Sequence, residues 1–286
     1  MAENAVSPER LKEEQRRDWD TAAAGWKKWW PLFEQCASHV SERLVELAGV
    51  RPGARVLDIA TGNGEPALTA ARRAAPGGFV IATDQSPGMI AIARERAAAA
   101  GAANVEFRQI DGESLDIPER DFDAVVCRWG LMFMPDYAGA VRAIHARLKP
   151  GGRFATAVWA SADRVPMIAI GAEAVRRIAS LPPPPADALG PLRLADESRM
   201  RVALSAAGFR DITVERMIVE FVFDSPDDFT QMRVDVSAQF HALLDRVSVD
   251  ERGRIIAAVT DGARAFVAAG GKVRTRNETI CFSAAR

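Results

Sequence analysis

Short apolar runs alternate with helical patterns from about residue 55 onward, and this alternation constrains the fold more than any other feature. Strands that alternate with helices form a parallel sheet with helices packed on its faces. The apolar runs cover residues 55–61, 79–84, 105–110, 123–127, 153–159, 212–223 and 272–284. The pattern predicts an α/β protein with a Rossmann-like, seven-stranded, mostly parallel sheet and helical cap insertions.

The alternation also predicts how the chain is divided. Residues 1–50 are expected to form a helical segment that covers the ligand site, and residues 51–160 the ligand-binding core. A cap insertion is expected at 161–195, because the proline run 182–185 cannot form a regular helix or a central strand. Residues 196–286 then complete the core and carry a second helical insertion at about 225–271.

Charge and cysteine content narrow the range of partners. The chain has 37 Lys and Arg against 38 Asp and Glu, a formal net charge of −1, which provides no long-range attraction for a nucleic acid. The three cysteines are far apart and form no Cys/His cluster, so we expect no metal site and a reducing cytoplasm. No run approaches the ~20 apolar residues of a membrane span. We expect a cytoplasmic protein with no membrane or nucleic-acid partner, and a homodimer remains open.

A glycine turn follows the first predicted strand. The strand at residues 55–61 runs into Gly62 and Gly64, and Pro66 then begins a helix. Glycine permits a sharp turn and a close approach of the backbone to a ligand, and a helix N-terminus offers N–H donors. Asp58 precedes the turn, where its carboxylate can accept hydrogen bonds from an ammonium group.

Two further acids end the next two strands. Asp84 ends the second strand, about twenty residues after the turn, where a carboxylate can accept both hydroxyls of a ribose. Asp111 follows the third strand and is placed to meet an adenine amino group. Because the carboxyl ends of parallel strands lie at one edge of the sheet, the three acids predict a ligand that contains a nucleoside.

The glycine turn alone admits two other interpretations. The glycines can simply form a tight turn without a ligand. The spacing Gly62-x-Gly64-x-x-Ala67 also satisfies the dinucleotide fingerprint with its allowed final alanine. A nicotinamide-dependent oxidoreductase is therefore the main alternative.

Two observations count against the oxidoreductase. Asp58 and Asp111 have no evident task beside a pyrophosphate. The chain has a single tyrosine, Tyr137, and the residue four positions later is Val141, so the Tyr-x-x-x-Lys pair of short-chain dehydrogenases is absent.

Five motifs, which include the glycine turn and the two later acids, follow one another over about residues 50–160. They are Val56-Leu57-Asp58-x-x-x-Gly62-x-Gly64, Asp84 with Ser86-x-x-Met89, Asp111-Gly112, Phe122-Asp123-x-Val125 with Arg128-Trp129-Gly130-Leu131-Met132-Phe133, and Leu148-Lys149-Pro150-Gly151-Gly152. In this order the chain resembles the class I S-adenosylmethionine (SAM)-dependent methyltransferases. The resemblance is to the group that includes the ubiquinone/menaquinone C-methyltransferases in particular.

The resemblance implies SAM as the cofactor and methyl transfer to O, C or N of a small, fairly apolar or aromatic molecule. It disfavours adenine or amide N-methylation of a macromolecule, because the Pro-Pro-Tyr-type motif of the amino-methylating members is replaced here by Cys127-Arg128-Trp129-Gly130. A SAM-binding protein diverted to another reaction stays open. The implied cofactor-binding residues are Asp58, Ala60, Thr61, Gly62, Gly64, Asp84, Gln85, Met89, Asp111, Gly112, Cys127 and Arg128.

Aromatic side chains provide the candidates for an acceptor pocket. Trp19, Trp26 and Trp30 share one face if the N-terminal helix is continuous, and Trp129 and Phe133 follow the fourth strand. The alternative is that all five are core residues beneath the caps. Among the three histidines, His241 in the second insertion is the candidate general base, and no other catalytic residue is assigned.

Overall fold

A computed structural model describes residues 8–180, 185 and 187–286 of the chain. Most of the proline run, residues 182–184, and the first seven residues of the N-terminal segment lie outside the described residues.

Within these ranges, seven strands form one sheet in the order β3-β2-β1-β4-β5-β7-β6. All neighbours pair in parallel except β7, which is antiparallel to both β5 and β6. The strands are β1 Arg55–Ile59, β2 Phe79–Asp84, β3 Val105–Gln109, β4 Phe122–Arg128, β5 Leu148–Trp159, β6 Arg210–Phe223 and β7 Val273–Ala285. The predicted Rossmann-like, mostly parallel sheet is confirmed.

The helices pack on the sheet and over its carboxyl edge. They are α1 Pro8–Leu47, α2 Ala67–Ala74, α3 Pro87–Ala99, α4 Tyr137–Arg147, α5 Pro166–Ile178, α6 Glu197–Ala206, α7 Pro226–Val236, α8 Ala238–Leu244 and α9 Val249–Arg264. Serine side chains cap the N-termini of α3 and α7. Ser86 Oγ accepts from the Met89 amide at 3.1 Å, and Ser225 Oγ accepts from the Asp228 amide at 3.0 Å.

The start of β5 differs from the sequence-based expectation by more than that of any other strand. The apolar run begins at residue 153, but β5 begins at Leu148. The pairing shows why: Leu148 already pairs with Phe122, and the register then shifts before Arg153 pairs with Ala124. An irregularity of this kind absorbs extra residues without ending the strand.

Helix α1 is continuous over 40 residues, although it contains Gly25 and Pro31. The reason for Gly25 is steric, because a Cβ at this position would lie 1.9 Å from the backbone oxygen of Asp235 in α7. One residue further on, the Trp26 indole donates to the backbone oxygen of Val236 at 2.9 Å. The N-terminal helix and the second insertion are thus in close contact through the backbone of α7.

Strand order reverses between β1 and β4, and in such sheets ligands bind outside the carboxyl ends at that point. The two loops that leave these strands touch closely there. A Cβ on Gly130 would lie 2.6 Å from the Ala60 Cβ. Within the described ranges, no helix has both the length and the apolar composition of a membrane span, and no group of three or more His, Cys, Asp or Glu side chains is arranged to hold a metal ion.

Candidate active site

A cavity opens at the reversal point and is walled by the ends of β1–β4, by α1 and α5, and by the second insertion. The implied cofactor residues that line it are Ala60, Thr61, Gly62, Asp84, Gln85, Met89, Asp111, Gly112 and Arg128. The other three, Asp58, Gly64 and Cys127, are buried and do not line it. Of the acceptor-pocket candidates, Trp19, Trp26, Trp129 and Phe133 line the cavity and Trp30 does not.

The glycine turn presents bare backbone to this cavity. Gly62 has a φ of +55°, and an added Cβ would meet no heavy atom within 4 Å. Its amide donates to Asp84 Oδ2 at 2.8 Å. The turn therefore leaves open space where a ligand can approach the main chain.

Asp84 is held rigidly at the end of β2. Besides the Gly62 amide, the Ser86 amide donates to Oδ1 at 2.9 Å. Burial raises the pKa of this carboxyl, and the amides of Ser86 and Gly62 oppose that rise. The carboxylate lines the cavity and has further lone pairs, which suits a pair of hydroxyl donors.

Asp111 follows the end of β3 and forms an ion pair with helix α1. Lys12 Nζ lies 2.8 Å from Asp111 Oδ2 and also contacts the Glu113 carboxylate. The Glu113 amide donates to Asp111 Oδ1 at 2.9 Å. The N-terminal helix therefore reaches across the mouth of the cavity to the acid that the sequence assigned to adenine.

Beneath the turn, several buried polar atoms have no hydrogen-bond partner in the described part of the chain. They are both carboxylate oxygens of Asp58, the Thr61 hydroxyl and Glu65 Oε1. Thr61 and Glu65 line the cavity, whereas Asp58 lies behind it. Burial raises the pKa of Asp58 to about 8, and the neighbouring Glu65 adds to the rise. Glu65 Oε2 accepts from Thr69 Oγ1 at 2.7 Å and Arg96 lies 3.9 Å from Oε1, so one oxygen of this buried acid still has no hydrogen bond. A buried carboxylate oxygen of this kind beside a cavity is suited to binding a cation.

Arg128 brings a positive charge to the same place. Its guanidinium donates to Ser41 Oγ at 2.7 Å and lines the cavity. Burial lowers the pKa of Arg128, while Glu65 and Asp58 oppose the fall. Buried charges of both signs thus stand side by side, as a zwitterionic amino acid requires.

The remaining wall is aromatic. The Trp129 ring stacks on Trp159 with centroids 4.2 Å apart, and its indole donates to Thr279 Oγ1 at 2.9 Å. Trp19 meets Phe133 edge to face at 4.9 Å. Trp129 has a φ of +59°, an uncommon conformation for a bulky residue and one that concentrates at functional sites.

Two sequence-based candidates lie outside the cavity. The Arg96 guanidinium sits 4.0 Å above the Trp30 ring and pairs with Glu34, so Trp30 supports the wall rather than forming it. His241 is partly exposed, and its Nε2 lies 3.7 Å from Asp245 Oδ2. None of the three histidines, all of which the structure describes, lines the cavity.

The sequence did not single out Lys12, Glu65 or Arg233, although all three line the cavity. A signal existed for Arg233. Residues 229, 232, 233 and 236 follow helical spacing, and all but Arg233 are apolar. A single arginine on the otherwise apolar, buried face of a helix indicates that its side chain binds a polar or charged group.

Comparison with known proteins agrees with this geometry. A family described as a methyltransferase domain matches residues 56–152. A ubiquinone/menaquinone biosynthesis C-methyltransferase UbiE of Ectopseudomonas oleovorans is 37% identical over 135 residues, 47% of this chain and 74% of that protein. The UbiE of Pseudomonas putida is also 37% identical over 135 residues, but only 49% of it is covered. The chain thus spans about half the length of the P. putida relative it matches.

Among solved structures, a phosphoethanolamine N-methyltransferase 2 of Haemonchus contortus in complex with SAM has the same fold. Its TM-score is 0.61 at 20% identity, covering 99% of this chain and 60% of that chain. These matches give no support to the nicotinamide-dependent oxidoreductase that the glycine turn had left open. The chain belongs to the class I SAM-dependent methyltransferases.

Proposed function

We propose that this protein transfers the methyl group of SAM to a small acceptor with an aromatic or apolar body. One observation carries the proposal. Polar groups at successive strand ends, suited to an amino acid, a sugar and a purine, open into the same cavity as a wall of tryptophan and phenylalanine. The name of the UbiE relatives favours carbon over oxygen or nitrogen as the methylated atom.

The methionine part of SAM is proposed to bind beneath the glycine turn. Glu65 and Thr61 offer unpartnered oxygens to its ammonium group, and Arg128 offers donors to its carboxylate. Asp58 was the acid expected to bind this ammonium. Since it lies behind the wall and burial keeps it mostly protonated at neutral pH, we assign the direct contact with the ammonium group to Glu65.

The nucleoside is proposed to lie along the ends of β2 and β3. Asp84, oriented by two amides, accepts the ribose hydroxyls, and Met89 packs near the base. Asp111 and Gly112 face the adenine edge. A Cβ on Gly112 would lie 2.6 Å from the Met134 Cε, so a side chain there would have to displace the end of Met134.

Bound SAM supplies a methyl group on a positively charged sulfur. The chain's own contribution is to exclude water and to hold the acceptor in line with that methyl. The stacked Trp129 and Trp159 and the edge-to-face Trp19 and Phe133 provide flat apolar surfaces for this. Helix α1 covers the pocket from the cofactor side.

The test is calorimetric titration with SAM, with its demethylated product S-adenosylhomocysteine, and with NAD as the control. Binding of the first two without NAD is expected. Mass spectrometry of acceptor mixtures then separates methyl transfer from a diverted reaction, because only transfer converts SAM to S-adenosylhomocysteine and adds a methyl group to the acceptor. Binding of NAD alone would refute the proposal.

From the cysteine content we also propose a cytoplasmic location, and from the charge balance the absence of a nucleic-acid partner. Light scattering on the purified chain tests the homodimer.

A further inference from the structure

Arg233 on α7 is a buried cation without a partner in the part of the chain that the structure describes. Its relative exposure is 7%, it lines the cavity, and its Nε is enclosed without a hydrogen bond. Across the described ranges, its side chain makes no hydrogen bond or ion pair. Burial lowers the pKa of Arg233 to about 10, and no neighbouring acid offsets that effect. The guanidinium therefore stays charged at neutral pH.

Two of the three acids on the same helix bind other groups, and the third, Asp227, is exposed to solvent. Asp235 accepts from Lys28 at 2.8 Å and from the Trp29 indole at 2.7 Å, on the side of α7 that faces α1. Asp228 accepts from Ser225 Oγ at 2.7 Å at the start of the helix. Neither neutralises Arg233.

The surroundings of the guanidinium are apolar. Gly171 of α5 lies beneath it, since a Cβ there would be 3.8 Å from the Arg233 Nε, and the Phe240 ring lies at a similar distance from the same point. Met167 and Ile168 of α5 line the cavity alongside. A charge in such surroundings costs folding free energy unless an opposite charge is supplied.

Two half-buried arginines near the cavity show the contrast. Arg96 pairs with Glu34 at 2.9 Å, and Arg128 donates to Ser41. Both belong to the cluster beneath the glycine turn, among carboxylates. Arg233 lies in the second insertion and has no carboxylate partner among the described residues, so the missing anion must come from a ligand.

We propose that Arg233 binds an oxygen anion on the methyl acceptor, so that the acceptor is a small aromatic or apolar acid. A planar guanidinium matches the two oxygens of a carboxylate, and it also binds the single oxygen of an ionised enol. That the anion belongs to the methyl acceptor rests on the proposed function. That Arg233 binds an anion does not depend on the proposed function.

The experiment compares acids with their uncharged counterparts on the full chain saturated with S-adenosylhomocysteine. The carboxylate pair is indole-3-acetate and indole-3-acetamide, and the enolate pair is 4-hydroxycoumarin and coumarin. Calorimetry measures each Kd for the wild type, Arg233→Met, Arg233→Lys and the control Arg252→Met. Arg252 is in the same insertion, pairs with Asp245 and does not line the cavity.

We expect at least one acid to bind the wild type about tenfold or more tightly than its uncharged counterpart, as a charge-assisted contact provides. Arg233→Met should abolish this preference, Arg233→Lys should reduce it, and Arg252→Met should keep it. Which pair responds distinguishes a carboxylate from an enolate. No preference in the wild type, or a preference that survives in Arg233→Met, overturns the proposal.

Two readouts keep the test decisive. If Arg233→Met does not fold, Arg233→Lys, which keeps the charge and loses the planar fork, decides by whether the preference falls. SAM affinity is measured separately, without acceptor. If the wild type does not bind SAM, the proposed function is refuted. The preference for acids over their uncharged counterparts would still decide whether Arg233 binds an anion.

Discussion

Replacing Asp58 with asparagine should stabilise the ligand-free protein at neutral pH. Asp58 is fully buried, and its pKa is raised from 3.8 to about 8, mainly by burial. Between these two pH values the unfolded chain has released the proton and the folded chain has kept it. The free energy of unfolding therefore falls as pH rises from about 4 to about 8.

The magnitude follows from the same two values. Each pKa unit corresponds to about 1.36 kcal/mol, and pH 7 lies roughly three units above 3.8, so the upper limit is about 4 kcal/mol at pH 7. The carboxamide introduced by Asp58→Asn would add N–H donors without partners, at a cost of about 1–3 kcal/mol. A net gain of about 1–3 kcal/mol at pH 7 is expected, with Tm rising by roughly 2–4 °C for each kcal/mol.

Urea unfolding and calorimetry from pH 4 to 9 measure this effect. The advantage of Asp58→Asn should be absent near pH 4, grow with pH and level off above pH 8. Asp123→Asn is the control with the opposite sign. Burial tends to raise the pKa of Asp123, but the Arg55 amide and Lys149 outweigh it and hold the pKa below its usual value. That variant should lose stability at neutral pH. An Asp58→Asn advantage that does not vary with pH would refute the reasoning.

The remaining predictions concern cofactor binding and the packing of helix α1 against α7. Asp84→Ala should weaken SAM binding by about 1–3 kcal/mol in calorimetry, because it removes a charged acceptor from the ribose; unchanged affinity would contradict its placement. Gly25→Ala should destabilise the fold by roughly 1–3 kcal/mol in urea unfolding, since the new Cβ would overlap the Asp235 carbonyl. Gly253→Ala in α9, where a Cβ meets nothing within 4 Å, should instead stabilise by about 0.5–1 kcal/mol. Equal effects of the two glycine variants would rule out the steric explanation.

Most of the core could be predicted because its signals are local. Alternating apolar runs and Ser86 at the start of α3 act within a few residues, so the strands and the capped helices appear where the pattern places them. Segments whose conformation depends on distant partners were predicted less well. The sequence left the continuity of the N-terminal helix open, because the reason for Gly25 is the backbone of Asp235, far along the chain in α7.

The site divides in the same way. Spacing alone assigned acids to the ends of three adjacent strands, because parallel strands end at one edge of the sheet. Spacing could not show that Glu65 lines the cavity and Asp58 does not. It also could not show that Trp30 stacks on the Arg96 guanidinium instead of lining the pocket. These outcomes depend on side-chain packing between elements that are far apart in sequence.

By itself, the sequence determined the sheet, the edge at which the ligand site lies and the class of cofactor, because strand–turn–helix units carry these properties within a single stretch of chain. Only the tertiary structure decided how the site is covered and what an acceptor meets there. Helix α1 reaches Asp111 through Lys12, and α7 places Arg233 in the cavity without a counter-charge among the described residues. The physical reason is that the burial of a side chain and the neutralisation of its charge depend on contacts between residues far apart in sequence. A local sequence pattern does not specify those contacts.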